Sequence, residues 1–245
     1  MPFVVDHARI YLDYNSTTPC SDEVVSAMLP YFSDEFGNAS SPHEAGRGAS
    51  KAVDRARDEV SGVMGTPPES IVFTSGATEA NNLAILGTAK GPNDRRKIIV
   101  GATEHKSVLE PCHSLRGMGF EVQIAPVHSD GVIDIHSLER LVDDQVRLVS
   151  IQGANNESGV LQPVRAIADI AHAKGALIHC DLVQMLGKVP VSVSELRIDL
   201  ASFSAHKLYG PKGVGALVIG SAKARRALSP VVYGGGHEKG LRAGG

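Results

Sequence analysis

Short apolar runs rich in Val and Ile alternate with longer amphipathic ones along almost the whole chain, and this alternation constrains the fold most. The short runs predict strands at 71–74, 97–101, 121–125, 148–152, 176–179, 200–203 and 215–219. The longer ones predict helices at 23–31, 45–64, 78–88, 106–117, 135–141 and 163–174. Within 45–64, Ala49, Ala52, Val53, Ala56, Val60 and Val63 are expected to share one helical stripe. Strands alternating with helices indicate an α/β protein: a mostly parallel seven-stranded sheet flanked by helices. In open sheets of this kind, ligands collect beyond the carboxyl ends of the strands. Polar clusters that directly follow predicted strands are therefore where chemistry is expected.

Composition narrows the partners. The 245 residues suit one large α/β domain or two small ones, and the apolar share of 42% allows a substantial core. A formal net charge of −3 gives no reason to expect nucleic acid or a membrane surface. The basic spots at Arg95-Arg96-Lys97 and at Lys223, Arg225 and Arg226 are short and read as solvated faces. Cys20, Cys112 and Cys180 are widely spaced, which argues against a disulfide framework or a metal site and fits a cytoplasmic setting. Residues 1–7 lack the basic and apolar regions of a signal peptide, and no run reaches the length of a membrane span.

Lys207 lies in the run Ser202-Phe203-Ser204-Ala205-His206-Lys207, just before a Gly/Pro-rich break. A lysine becomes nucleophilic when burial or nearby positive charge removes its proton. Two serine hydroxyls and an imidazole beside it can hold a phosphate. A lysine next to a phosphate site suits pyridoxal phosphate, a cofactor carried on a lysine; the ordinary alternative is a surface lysine before a turn.

Four further clusters bear on that choice. Thr74-Ser75-Gly76-Ala77-Thr78-Glu79 follows a strand and opens a helix, as a phosphate cradle does, and equally as an ordinary helix cap does. Asp181 follows a strand, where its carboxylate can pair with a pyridinium nitrogen or simply start a turn. Gln184 is within reach of the cofactor's phenolic oxygen if the intervening turn is tight. His105, in Thr103-Glu104-His105-Lys106, can stack on a flat ring or cap a helix. Asn156, in Asn155-Asn156-Glu157, can hold a cofactor oxygen or a substrate carboxylate, or form a turn.

These motifs, in this order, resemble the cysteine desulfurases of the NifS/IscS-like branch of the class-V aminotransferase group. The resemblance also takes in residues 11–19, Phe36-Gly37-Asn38, the run 202–212 and Gly234-Gly235-Gly236-His237-Glu238. It implies a fold type I pyridoxal phosphate enzyme and a homodimer. It implies that Lys207 carries the cofactor and that Ala77, Thr78, Ser204 and His206 bind its phosphate. His105 would stack on the ring, Asp181 would pair with its nitrogen, and Gln184 and Asn156 would contact the phenolic oxygen and the substrate. Lys207 and His105 would be catalytic. The implied reaction takes L-cysteine to L-alanine and passes sulfur to an enzyme cysteine, from which an acceptor protein can draw it. Relatives of other activity (selenocysteine lyases, C–S lyases, aminotransferases) and a non-catalytic scaffold that binds a sulfur-transfer partner are the alternatives.

The resemblance divides the chain into an arm, residues 1–20, and a cofactor-binding large domain, residues 21–245. The family's smaller C-terminal domain, with its nucleophilic cysteine and substrate-binding arginine, is expected beyond Gly245, so the chain reads as a fragment of a longer enzyme rather than a natural short form. Where relatives end this region with Arg-x-Gly-Thr, the sequence here is Arg242-Ala243-Gly244-Gly245. Leu182-Val183 also departs from the small residues that relatives carry after the aspartate.

Overall fold

The computed structural model describes residues 10–244. Seven strands form one sheet: β1 (Ile71–Thr74), β2 (Lys97–Gly101), β3 (Glu121–Ala125), β4 (Val146–Ser150), β5 (Leu177–Asp181), β6 (Leu200–Ser204) and β7 (Gly215–Ile219). Their spatial order is β1-β7-β6-β5-β4-β2-β3. β7 runs antiparallel to both its neighbours, and the other pairings are parallel. The helices are α1 (Asp22–Met28), α2 (Pro30–Ser33), α3 (Glu44–Met64), α4 (Ala77–Lys90), α5 (Lys106–Leu115), α6 (Ile135–Leu141), α7 (Val164–Ala173) and α8 (Ala222–Ala227). The expected α/β sheet, mostly parallel and flanked by helices, is what the chain forms.

Successive strand residues face opposite sides, so the continuous apolar runs of β2 and β4 to β7 require cover on both faces. Ile98 packs with Leu83 of α4 and with Val108 and Leu115 of α5. Its neighbour Ile99 packs on the other face with Leu138 of α6 and Ile167 of α7. A second cluster on that face gathers Met64 of α3 with Ile71, Ala201, Phe203 and Val218. At the sheet centre His179 is fully buried between Ser150 Oγ (2.8 Å) and Ser202 Oγ (3.0 Å). Burial pushes its imidazole down to about 3, so the ring is neutral.

Several boundaries differ from the sequence expectation. β4 begins at Val146 rather than 148, because the charged Arg147 belongs to the strand and buries its guanidinium against the carbonyls of Asn93 and Gly91. β5 continues to Asp181, so that carboxylate ends the strand instead of following it. The first helix breaks at Leu29, since Pro30 cannot continue it and instead opens α2. α5 stops at Leu115 and closes in a 3₁₀ turn ending at Gly119, whose φ is +81°. On α3 the buried line runs through Gly46, Ala49, Ser61 and Met64, while Val53 and Val63 are exposed.

The basic spot Arg95-Arg96-Lys97 is solvated only in part, with Arg96 exposed and Arg95 half-buried. Lys97 is buried in β2 and pairs with Asp143 (2.8 Å), and Arg95 donates to the carbonyls of Val146 and Lys174. Lys223, Arg225 and Arg226 lie on α8, an additional helix. No helix among the described residues is long and apolar enough to cross a membrane. The readings placed on residues 1–9 and on Gly245 lie outside the described residues.

Two chain segments pack against this framework from opposite ends of the sequence. Residues 15–21 lie against the loop after β6: Thr18 N–H and Thr18 Oγ1 both donate to His206 O, Tyr209 N–H donates to Thr18 Oγ1, and Ser21 N–H donates to Tyr209 O. Residues 232–244 form a strap bonded to α3, β1 and the start of α4. Glu238 accepts from both Nη atoms of Arg57 (2.9 and 2.8 Å) and from the backbone N–H of Phe73 in β1. Arg57 also donates to Ile71 O. The pair thereby satisfies polar groups on an edge strand that would otherwise invite pairing with another chain.

Candidate functional site

A cavity of about 840 Å³ lies where the parallel strands end. Ala77, Thr78, His105, Asn156, Asp181, Gln184, Ser204, His206 and Lys207 all line it, so the sheet edge gathers every site residue expected from sequence. Ser202 is the exception in the opening motif. It lies within β6, is fully buried, and bonds to His179 instead of facing the cavity.

One end of the cavity has the geometry an anion needs. The first N–H groups of α4 have no partner within the helix and point outward with the positive end of its dipole. The preceding turn comes close to β7: a Cβ on Gly215 would lie 2.5 Å from Gly76 Cα. Gly76 itself has φ +152°, a conformation that other residues rarely adopt. Because β7 runs against its neighbours, its first residue sits at the same edge as the ends of the parallel strands. Ser204 and His206 complete this end, and His206 Nδ1 is 3.0 Å from Thr17 Oγ1. Burial first, then Lys207 and Lys212, lower the His206 pKa.

The opposite wall carries Asp181, only 8% exposed. Oδ1 accepts from Val183 N–H (3.0 Å) and Oδ2 from Asn81 Nδ2 (2.9 Å). Burial raises its carboxyl above the ordinary range, and these bonds offset only part of that. A cation placed against it would restore the charged form.

Asn81 also donates to Ser107 Oγ (2.9 Å), which lies 2.7 Å from His105 Nδ1. The same nitrogen accepts from Ser107 N–H, capping α5 and leaving Nε2 to carry a ring proton. His105 therefore caps a helix and lines the cavity at once. The turn role falls to Asn155, whose Oδ1 accepts from the N–H groups of Glu157 and Ser158, while Asn156 lines the cavity.

Lys207 Nζ donates to the carbonyls of Asn15 (2.7 Å) and Ser16 (2.6 Å). Burial, followed by the charge of Lys188, lowers its pKa. Lys188 Nζ donates to Asn15 Oδ1, and Gln184 Nε2 to Asn15 O. One residue of the N-terminal segment thus fastens three side chains.

Sequence reasoning did not single out Asn81, Ser107 or Asn15. The available signal was a polar residue at Asn81, amid the apolar Ala80, Leu83 and Ala84 of one helix. Behind His105, Glu104 is buried and accepts from Gln152 N–H (2.8 Å), and burial raises its carboxyl well above the ordinary range. Among the described residues, no group of three or more His, Cys, Asp or Glu is arranged to hold a metal. None of the three cysteines lines the cavity. Cys112 and Cys180 are buried; burial raises the Cys112 thiol to about 12 and Cys180 well above its ordinary value.

Comparison with known proteins shows which family the chain resembles. Cysteine desulfurase IscS from Rickettsia bellii is 46% identical over 237 residues, covering 96% of this chain. The chain spans 58% of the length of that relative. A solved NifS-like protein superposes with a TM-score of 0.92 at 42% identity, over 96% of this chain and 65% of that one. SspA in complex with cysteine gives a TM-score of 0.91 at 37% identity, over 96% and 68%. DndA from Streptomyces lividans gives 0.83 at 41%, over 96% and 67%. The family model for class-V aminotransferases matches residues 10–242, and the chain belongs to that family.

Proposed function

We propose that this chain furnishes the cofactor-binding part of a pyridoxal phosphate-dependent cysteine desulfurase. The observation that carries the reading is the single cavity that joins an anion-binding helix start, the amine of Lys207 and the buried carboxyl of Asp181. The residues fit the cofactor. The cradle turn packs closely on β7, where Gly76 leaves no room for a Cβ on Gly215, and a Cβ on Gly76 would project to 3.8 Å from Ser204 Oγ, beside His206 in the cavity. Ala77, Thr78, Ser204 and His206 would hold the phosphate, Asp181 the ring nitrogen, Gln184 and Asn156 the ring oxygen and substrate, and His105 the ring face. When bound, the cofactor supplies an electron sink for the amino acid's bonds.

The chain's own residues supply the rest. Lys207 Nζ has a lowered pKa, so it gives up its proton more readily than a free lysine and can carry protons to and from the substrate. His105 Nε2 offers a second proton site, its orientation fixed by Ser107. The thiols of Cys112 and Cys180 stay protonated, so the sulfur acceptor of this reading is a different cysteine. The same reading includes a cytoplasmic homodimer, L-cysteine as substrate and an acceptor protein for the sulfur. Its cysteine substrate is supported by the relatives named cysteine desulfurase and by the solved relative in complex with cysteine.

Purified protein mixed with pyridoxal phosphate is expected to gain visible absorbance, and Lys207→Ala to lack it. A wild-type protein that stays colourless overturns the reading. With a thiol acceptor supplied, cysteine is expected to yield alanine; turnover of selenocysteine alone would favour a lyase.

A further inference from the structure

The phosphate cradle contains a carboxylate where an anion is expected. Glu79 lies in the first turn of α4 and lines the cavity. A negative charge there is favoured by the helix dipole, and for the same reason it competes with any anion drawn to that terminus. Two contacts restrain it. Oε2 accepts from Ser75 N–H (2.8 Å), inside the cradle turn. Oε1 accepts from Arg242 Nε (2.8 Å), with Arg242 Nη2 3.4 Å from Oε2. Both side chains are largely buried, at 18% and 24% exposure. Burial pushes the Glu79 carboxyl up, but the bonds from Arg242 and Ser75 outweigh it, so Glu79 stays ionised beside the anion site.

We infer that Arg242, acting through Glu79, is a positioning residue for the phosphate cradle: it neutralises the Glu79 carboxylate and leaves the start of α4 free for a phosphate dianion. The inference rests on the cofactor reading above. It assigns the strap a role beyond covering the sheet edge, because Arg242 belongs to the strap and Glu79 to the cradle. A Gln at this position offers a carbonyl oxygen that can accept the same bond from Ser75 N–H, so the carboxylate's charge can be removed while the turn's support is kept.

The experiment is a double-mutant cycle on pyridoxal phosphate binding, read by visible absorbance. A second readout is the rise in melting temperature on adding inorganic phosphate to the protein without pyridoxal phosphate. Arg242→Gln leaves Glu79 uncompensated and is expected to weaken both by about tenfold in affinity. Glu79→Gln alone is expected to bind as well as wild type or tighter. The double variant is expected to recover most of the loss. Arg242→Gln binding like wild type overturns the inference, and so does a double variant no better than Arg242→Gln. A Glu79→Gln variant as weak as Arg242→Gln also overturns it, since the pair would then be acting only as a structural tie. If wild type binds neither pyridoxal phosphate nor phosphate, the cofactor reading itself fails, and the inference with it. Melting temperatures without ligand show whether each variant is folded.

Discussion

Two segments from opposite ends of the sequence, one lining the cavity and the other bonded to Glu79 on its wall, are held by different forces. Residues 15–21 contribute only uncharged groups: backbone and Thr18 bonds to the loop after β6, and oxygens of Asn15 and Ser16 that accept from Lys207 and Lys188. The strap at 232–244 is fastened by two arginine–carboxylate pairs, Arg57–Glu238 and Arg242–Glu79. A neutral bond costs little to lose, because water replaces it at modest net expense. Losing one member of a buried pair strands the other charge and costs several times more. The first segment therefore has many small anchors that fail singly, and the strap has a few large ones.

The largest effect tests the strap. Glu238→Ala leaves the Arg57 guanidinium and the Phe73 N–H without their carboxylate, and is expected to cost about 3 kcal/mol of stability in denaturant unfolding. Hydrogen exchange should rise along β1 and the strap while the Thr18 amide stays protected. Equal loss on both sides would break the comparison.

The next asks whether both segments rest on one foundation. His179 is neutral in the fold, with its pKa lowered from 6.5 to about 3 by burial. Its stabilising contribution is complete above 6.5 and is lost as pH falls toward 3, because the unfolded chain takes up a proton that the native sheet refuses. Stability is expected to fall by about 2 kcal/mol between pH 7 and 5, with both segments released together. A His179→Asn variant should flatten this profile; an unchanged profile would place the acid sensitivity elsewhere.

The smallest effect tests the neutral side. Thr18→Val removes a donor to His206 O and an acceptor for Tyr209 N–H, and is expected to cost about 1 kcal/mol. Loosening should be confined to residues near Lys207. A cost matching that of Glu238→Ala would show the first segment to depend on one anchor after all.

The sheet was legible because Val/Ile runs between amphipathic stretches admit few other folds, and four of the seven strands begin and end where the sequence places them. β4 was misplaced because buried Arg147 reads as a surface charge, its carbonyl partners Gly91 and Asn93 lying more than fifty residues away. The cavity residues could be named because each ends or follows a strand. Asn81 and Ser107 could not, since their bonds to Asp181 and His105 join elements that only the fold brings together. Ser202 misled for a local reason. Neighbouring strand residues face opposite ways with period two, but Ser202 and Ser204 share a face, and only depth along the strand separates the core from the cavity mouth.

The reversed direction of β7 also bears on how the site forms. β6 and β7 pair antiparallel across the loop 205–214, so the chain leaves the cavity edge and returns to it without crossing the sheet. Contacts between residues close in sequence form early, since little chain entropy is lost in closing short loops. The segment bearing Lys207 can thus take shape as a local hairpin, while the Asp181 wall waits for a parallel crossover through α7. The hairpin then sets the place of Lys207 locally, while the bonds that hold its amine to Asn15 and Ser16, like the Asp181 wall, depend on distant parts of the chain.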